Sequence, residues 1–572
     1  MSEKAQLSTT TDLQKSTITT DGGQPIEQVV GTDAEIQDKL AERIEHVEDV
    51  YAGAAAATKQ EQDMTFLQAL KSYPRASLFS ILFSTAIIME GFDLTLIGSF
   101  YGLPAFQKRF GQQIGPDEYV ITAAWQTGIS NAVQIGQILG LMINGWACDR
   151  FGYKKTIAFS LVTICAFIFI TFFATSLGML LAGELLCGLP WGVFQTLTTA
   201  YAAEIAPAAL RPFLTTYVNL CWVMGQFFAS AVLKGVETLD VNNEWAYRIP
   251  FALQWIWPLP ILAGVYFAPE SPWYLVRVGR LEDARKSLIE LGSERPGAIS
   301  ADERIKQIQH TNEMEAAMSS GTSYLDCFRG TNRRRTEIAA VAWMIQTACG
   351  SGLIGQSTVF YQEAGLSPAD SFSFNLGMYA LGAIGTISSW FTMQRYGRRQ
   401  LYNWGLMAML VVLLGVGGTG FSNGANAAWA SGSLLVVYSF FYQFTVGPVC
   451  YCLVAEIPST RLRAKTVVLA RNAYNLIGII NNILVPRMLS PIEWNWGPLT
   501  AFFFAGACLL CLAYCYWRLP ETKGRTYAEL SVLFDDRVSA RKFRTTAVDL
   551  YGKGGEPLEK GDSFEPAPGG IH

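Results

Sequence analysis

Charge is scarce in this chain. Asp, Glu, Lys and Arg make up only 16% of its 572 residues, where a soluble protein carries about a quarter. The deficit is local: residues 1–76, 269–336 and 519–572 are polar, and the chain between them runs apolar for about 20 residues at a time. Runs of that length cross a hydrocarbon core of about 30 Å as helices, and lipid admits only helices or closed barrels. These runs are too long and too uniformly apolar for barrel strands. Histidine is scarcer still. His46, His310 and His572 all lie in polar stretches, which excludes a histidine proton relay inside an apolar run. The eleven cysteines sit almost entirely in the apolar runs, as do Cys508, Cys511 and Cys515. None has zinc-site spacing, so no metal and no other cofactor is expected. A formal net charge of −4 gives no ground for a nucleic-acid partner. Residues 1–73 lack the apolar core of a secretory signal, so the first apolar run is expected to direct the chain to the membrane.

What is present is an all-α integral membrane pattern. Twelve spans are expected, at 77–103, 119–147, 156–176, 178–202, 213–235, 248–268, 337–361, 371–394, 401–421, 428–454, 467–489 and 498–518. Short loops on one side hold ten cations: Arg150, Lys154, Lys155, Arg211, Arg395, Arg398, Arg399, Arg461, Arg463 and Lys465. Loops on the other side hold Lys108 and Arg109 among acids such as Asp117, Glu237 and Asp370. The positive-inside rule makes the ten-cation side cytoplasmic, and both termini lie with it. The spans divide into two six-helix units, 77–268 and 337–518, joined by a cytoplasmic helical linker, 269–336. Residues 1–76 read as a largely disordered cytoplasmic segment and 519–572 as a cytoplasmic tail.

The two units repeat. "AEIAPAALR" places Glu204 and Arg211 after span four, and "AEIPSTRLR" places Glu456 and Arg463 after span ten, each 252 positions later. "PESP" at Pro269 recurs as "PETK" at Pro520, and "DRFGYKK" after span two answers "QRYGRRQ" after span eight. Three motifs at nearly one period describe a duplicated six-helix unit with its ligand site where the halves meet.

Together these loops resemble the major facilitator superfamily, and within it the sugar porters. "GWACDRFGYKK" (145–155) is similar to that superfamily's G-x-x-x-D-R-x-G-R/K-K loop, and "PESPWYLVRVGR" and "PETKGRT" to the sugar-porter signatures. "EGFDLTLIGSFYGLP", "GELLCGLPWGVFQTL", "SYLDCFRGTNRRRTEI", "STVFYQEAG" and "VVLARNAYNLIG" look like the fungal maltose and α-glucoside permease branch. The resemblance covers about residues 71 to 530. It implies twelve helices in two pseudo-symmetric halves, the major facilitator fold, and a sugar as small-molecule partner in a lipid bilayer. Two departures stand out: Trp273-Tyr274 replaces the common Arg-Trp after "PESP", and Gln394 stands where the first half has Asp149.

Glu90 and Asp93 interrupt the first span. A carboxylate at mid-bilayer costs roughly 2.5–3.5 kcal/mol, and two at i and i+3 share a helix face and repel when both are ionised. Such acids suit reversible proton uptake, with the proton as coupling ion; they equally suit the wall of a wet cavity or a static pair with a cation. The resemblance implies a coupling carboxylate at Asp93. Glu184 stands in span four where many proton-coupled hexose porters have the arginine that pairs with that aspartate. Arg471 in span eleven is the available cation, placed to balance the acids or to hold sugar hydroxyls from the opposite half.

Sugar hydroxyls call for amides and the ring face for aromatics. By alignment to the family, Asn219 and Gln226 match two sugar-binding amides. Gln346 matches the first of a glutamine pair whose second member is Thr347, and Tyr451 replaces a tryptophan. The family's later asparagine falls at Gly352. Asn472 and Asn475 join on polarity alone. Each of these also suits a helix–helix hydrogen bond.

The charged loops read as a gate. Arg150, Glu204, Arg211 and Glu270 in the first half, and Arg395, Glu456, Arg463 and Glu521 in the second, are expected to form charge-assisted pairs, with Gly145, Asp149 and Gly152 shaping the first loop. The expected function is proton-coupled import of a maltose-type α-glucoside across the plasma membrane by alternating access, and not enzymatic catalysis. A passive facilitator of a hexose or another glycoside such as lactose or cellobiose, or a sugar receptor without transport, stays open on the same residues. Lys4, Lys15, Lys39 and Lys59 in the amino-terminal segment would serve a ubiquitin ligase as partner.

Overall fold

A computed structural model describes residues 28–31 and 50–549, apart from 51–52, 55–56, 61–63, 116–117, 293–297, 319–322, 423–424 and 491–492. Twelve long helices make up most of it. The first half holds α1 (Pro74–Phe100), α2 (Ala123–Phe151), α3 (Tyr153–Phe172), α4 (Leu177–Ile205), α5 (Arg211–Val236) and α6 (Trp245–Phe267). The second holds α7 (Gly330–Gly355), α8 (Pro368–Arg395), α9 (Arg398–Thr419), α10 (Asn426–Glu456), α11 (Arg463–Leu489) and α12 (Gly497–Arg518). Helices α1 and α8 each open on a proline, whose missing N–H costs nothing in a first turn. The Ser176 and Ser367 hydroxyls cap α4 and α8 by accepting from Met179 and Asp370 N–H. Pro190 sits inside α4 without ending it.

Nine of the twelve are long and apolar enough to be recognised as spans by length and composition; α2, α8 and α11 are not. Those three bury polar groups: Gln134, Gln137 and Asn144; Asn375, Thr386 and Ser389; Arg471, Asn475 and Asn481. Helix α7 starts at Gly330 rather than at 337, because its first turns are the polar "TNRRRT" that hydropathy leaves out.

The repeat is visible in the packing. Gly140 of α2 lies against the Leu189 carbonyl of α4, and Gly385 of α8, 245 positions on, lies against the Phe440 carbonyl of α10. Small residues let helix backbones approach this closely, and a Cβ at Gly140 would overlap backbone that cannot move aside. The halves meet mainly along α2 against α11 and α5 against α8.

Three linker helices, Pro272–Arg277, Leu281–Leu291 and Ala301–Met318, and a tail helix, Tyr527–Asp535, lie beyond the spans. Strand Gln28–Gly31 pairs in parallel with Thr546–Asp549, which joins the two ends of the described chain. Most of the segment expected to be disordered, 1–76, lies outside the described residues, as do Lys4, Lys15 and Lys39. Its end is ordered as the helix Phe66–Ser72, capped by Thr65, and Lys59 is exposed.

Candidate functional site

A cavity of about 1080 Å³, its open mouth included, lies between the halves. Helices α1, α2 and α5 wall it on one side; α7, α8, α10 and α11 wall it on the other. Every lining residue is uncharged. Amides dominate the polar part (Gln134, Gln226, Gln356, Gln443, Asn481 and Asn482), and Trp222, Tyr379, Tyr442 and Tyr474 supply ring faces. Donor–acceptor amides beside aromatic faces suit a neutral polyhydroxylated ring.

Helix α7 loosens where it meets the cavity. A π-turn spans Thr347–Ser351, with Gly350 at φ +118°, a region open to glycine and costly for other residues. The carbonyls freed there are met from the side: Tyr438 Oη donates to the Cys349 carbonyl at 2.9 Å, and Asn481 Nδ2 to the Thr347 carbonyl at 2.9 Å. Asn481 also occupies the space beside Gly352, so an amide from α11 stands where the family pattern would place one on α7.

Glu90 and Asp93 lie off the cavity wall, 0% and 2% exposed. Although one helical turn apart, they meet different partners. Glu90 Oε1 accepts from Gln137 Nε2 of α2 at 2.9 Å and from Gln195 Nε2 of α4 in a close contact. Gln195 Oε1 in turn accepts from Arg471 Nε of α11 at 2.8 Å. Arg471 therefore makes no direct ion pair with either acid; the Gln195 amide stands between. Its guanidinium lies 3.9 Å from the Tyr474 ring centroid, with Trp222 and Trp343 at 5.4 and 5.3 Å, so it is held in the interior rather than reaching for the interface.

Asp93 Oδ1 accepts from Gln254 Nε2 of α6 at 2.6 Å, and its carboxyl faces Glu184 and Trp191 of α4. Asp93 thus has acids on two sides, Glu184 on α4 and Glu90 one turn back on α1. Neither Glu184 oxygen, nor Asp93 Oδ2, has a hydrogen-bond partner among the described residues.

The expected sugar contacts are distributed unevenly. Gln226 is on the wall. Asn219 sits behind it and donates to Gln443 Oε1 at 2.9 Å and to Thr386 Oγ1 at 3.3 Å, so it positions a wall residue across the halves. Gln346 is off the wall and donates to the Gly447 carbonyl at 2.8 Å, while its neighbour Thr347 is on the wall. Tyr451 is also off it, packed edge-on to Trp343 with centroids 6.0 Å apart. Asn472 and Asn475 do not reach the cavity either. Gln134, Gln254, Gln195 and Gln443 were not singled out from sequence. A lone glutamine in an apolar run carries no sign of the helix it faces.

At the linker end the charged motifs form two pseudo-equivalent clusters. Glu204 accepts from Tyr153 Oη at 3.1 Å, Arg277 Nη2 at 3.3 Å and, closely, Ser271 Oγ. Arg463 of the other half lies 3.8 Å away. Glu456 accepts from Arg398 Nη2 at 3.1 Å and Thr522 Oγ1 at 2.5 Å. The expected partners Arg150 and Arg395 are exposed and form no ion pair among the described residues; Arg277 and Arg398 take their places.

Glu270 and Glu521 are helix caps rather than ion-pair members. Glu270 accepts the N–H groups of Tyr153 and Lys154 at 2.9 and 3.2 Å, and Glu521 those of Arg398 and Arg399 at 2.8 and 3.2 Å, where the helix dipole favours an anion. Burial still pushes the Glu270 carboxyl above its ordinary range against the pull of those N–H groups. Gly152, at φ +86°, leaves room for that carboxylate. Gly145 lies against the Tyr324 hydroxyl, which donates to the Met142 carbonyl at 3.2 Å.

Two further contacts cross between the halves. Lys465 pairs closely with Asp149, a lock without a charged counterpart at Gln394. The Tyr527 ring of the tail helix has Arg211 at 4.0 Å and Arg463 at 4.1 Å, one cation from each half.

Residues 79–534 match the family described as Sugar (and other) transporter. The maltose permease MAL31 of Saccharomyces cerevisiae is 44% identical over 511 residues, 88% of this chain and 83% of the permease. A general alpha-glucoside permease of the same yeast is 44% identical over 506 residues, 88% of this chain and 82% of the permease. Among solved structures, the proton:xylose symporter XylE bound to 6-bromo-6-deoxy-D-glucose superposes with a TM-score of 0.68 at 20% identity, over 82% of this chain and all of that one. At that identity the likeness is one of fold.

Proposed function

This chain belongs to the sugar transporter family, and we propose that it is a proton-coupled symporter importing a maltose-type α-glucoside across the plasma membrane by alternating access. The carrying observation is an uncharged cavity of amides and aromatic rings, walled in part by the helix that carries the buried acids Glu90 and Asp93. An uncharged wall selects a neutral solute, and Glu90, Asp93 and Glu184 form no ion pair among the described residues. The names of the 44%-identical relatives, maltose permease and alpha-glucoside permease, support the choice of sugar.

In this reading a proton entering from outside neutralises the acids beside the cavity. Sugar then binds between Gln226 and Gln134 on one side and Gln443 and Asn481 on the other. Closure around it strains the linker-end contacts Glu204–Arg463 and Asp149–Lys465, and their rupture lets the halves rock inward. Ten loop cations at that end support a cytoplasmic position for it, and Lys59, exposed in the amino-terminal segment, would there serve a ubiquitin ligase. One charge moved through about 100 mV contributes roughly 2.3 kcal/mol. At about 1.4 kcal/mol per tenfold, that sustains roughly fifty-fold accumulation before any pH gradient is added.

The test is uptake of labelled maltose against a panel of unlabelled maltose, sucrose, trehalose, cellobiose, lactose and glucose, with and without the pH gradient. Competition by α-glucosides and loss of uptake when the gradient collapses are expected. Uptake indifferent to the gradient would identify a facilitator, and binding without flux a receptor.

A further inference from the structure

Between the acid of one half and the cation of the other stands a single uncharged group. Gln195 presents its N–H to Glu90 and its carbonyl oxygen to Arg471 Nε, 2.8 Å away. All three side chains are buried: Glu90 is 0%, Gln195 3% and Arg471 2% exposed. Among the described residues Gln195 is the only hydrogen-bond partner of Arg471. We propose that Gln195 is a positioning residue for coupling: it conveys the protonation state of Glu90, on the first half, to Arg471, on the second. This rests on the symporter reading above.

The amide suits the task because it is both donor and acceptor, and its two ends are used in one fixed order. Glu90 Oε1 already takes two amide N–H groups, from Gln137 and Gln195, while Oε2 has no protein partner. An arriving proton therefore has an open oxygen at Oε2. Once it is bound, Oε1 becomes a neutral carbonyl, and the Gln195 N–H···O bond falls from charge-assisted to neutral, about half as strong. Arg471 then loses the anion it sees through the amide and is free to follow α11 as the halves part. When the proton leaves, the chain of bonds tightens and draws α4 and α11 together again.

The other groups near Glu90 do not offer this route. Asp93 is one turn along α1 and engaged by Gln254 of α6; Gln137 belongs to the same half as Glu90. Tyr474, whose ring lies 3.9 Å from the Arg471 guanidinium, belongs to the second half with Arg471 itself.

The experiment uses full-length protein in liposomes with labelled maltose and two readouts. One is uphill accumulation under an imposed inward proton gradient. The other is counterflow, exchange of labelled for unlabelled maltose with no gradient, which needs the halves to move but not the proton to leave. Gln195→Leu, which keeps the bulk and removes both hydrogen bonds, is expected to lower accumulation at least about tenfold while counterflow falls less than about threefold. Gln195→Asn, too short to reach both partners, is expected to behave the same way and covers the case in which leucine does not fold.

Accumulation at the wild-type level in a folded variant overturns the proposal. So does an equal loss of both readouts in both variants, which would mark Gln195 as plain helix packing. Glu90→Gln separates the layers. If it uncouples while Gln195→Leu does not, only the relay falls. If Glu90→Gln accumulates normally, or the wild type exchanges but never accumulates, the coupling role of Glu90 falls and the relay with it.

Discussion

Replacing Glu204 by glutamine removes one negative charge from the closed linker end while keeping nearly all of its shape. Glutamine's carbonyl oxygen still accepts from Tyr153 Oη, and its amide N–H donates to Ser271 Oγ where the carboxylate accepted, but two cations lose their anion: Arg277 at 3.3 Å, and Arg463 at 3.8 Å with its side chain 0% exposed. Arg277 retains the Thr460 carbonyl at 3.1 Å. Arg463 retains the Tyr527 and Trp273 rings at 4.1 and 5.8 Å, worth about 0.5–2 kcal/mol each. Removing one partner of a buried pair costs about 3–5 kcal/mol, so with these residual contacts the closed end loses about 3 kcal/mol. At about 1.4 kcal/mol per tenfold, the balance between closed and open linker ends moves by roughly a hundredfold toward open. Sugar binding from the opposite side then weakens by the fraction of competent molecules lost. Hydrogen exchange over the linker helices Pro272–Arg277 and Leu281–Leu291 should accelerate, and the apparent affinity for external maltose should fall together with it. Unchanged exchange and unchanged affinity in Glu204→Gln would refute the buried-pair argument.

Three shorter predictions follow from other parts of the molecule. Burial pushes the His310 pKa down to about 4, whereas an unfolded histidine titrates near about 6.5. The unfolded chain thus binds more protons between those values, and stability present above about pH 6.5 drains away as pH falls, at up to about 1.4 kcal/mol per unit; thermal midpoints from pH 7 to 4.5 should show the slope, and His310→Asn should flatten it. Gly140→Leu drives a side chain into the Leu189 backbone and should cost well over the roughly 1–3 kcal/mol of ordinary overpacking, seen as loss of monodisperse protein; a normally folded variant would contradict the close helix contact. Tyr527→Ala removes the ring between Arg211 and Arg463; a destabilisation of about 1–3 kcal/mol is expected, against little change for Tyr527→Phe, and equal losses in both would assign the effect to the hydroxyl.

How much of this was readable beforehand depended on the kind of signal. Apolar length placed the spans to within a few residues for most helices, because lipid enforces that length directly. Its signal is weakest at α2, α8 and α11, which bury amides and hydroxyls, although their spans too are expected from the sequence at 119–147, 371–394 and 467–489. The repeat puts Glu204 and Glu456 at equivalent loop positions, and the structure sets each in a cluster with an arginine and a hydroxyl. Pairing them with Arg150 and Arg395 failed, since equal spacing along a loop does not say which way a helix-end arginine points. In the interior, charge was conspicuous and partnership was not. Glu90, Asp93, Glu184 and Arg471 stand out in any apolar run, yet Gln195 and Gln254, which decide how those groups are connected, look like ordinary polar residues until the helices are placed. Asn481 beside Gly352 is the same lesson: the pocket's chemistry can move from one helix to its neighbour while the motif that normally carries it goes blank.

The claim on which the account turns is that buried acids of α1 take up and release protons in step with sugar. Purified protein in liposomes, loaded with an inward proton gradient and given labelled maltose, tests it with Asp93→Asn and Glu90→Gln, singly and together. The account predicts that the double variant still exchanges maltose but no longer raises it above the external concentration. Accumulation by the double variant equal to that of the wild type would contradict it.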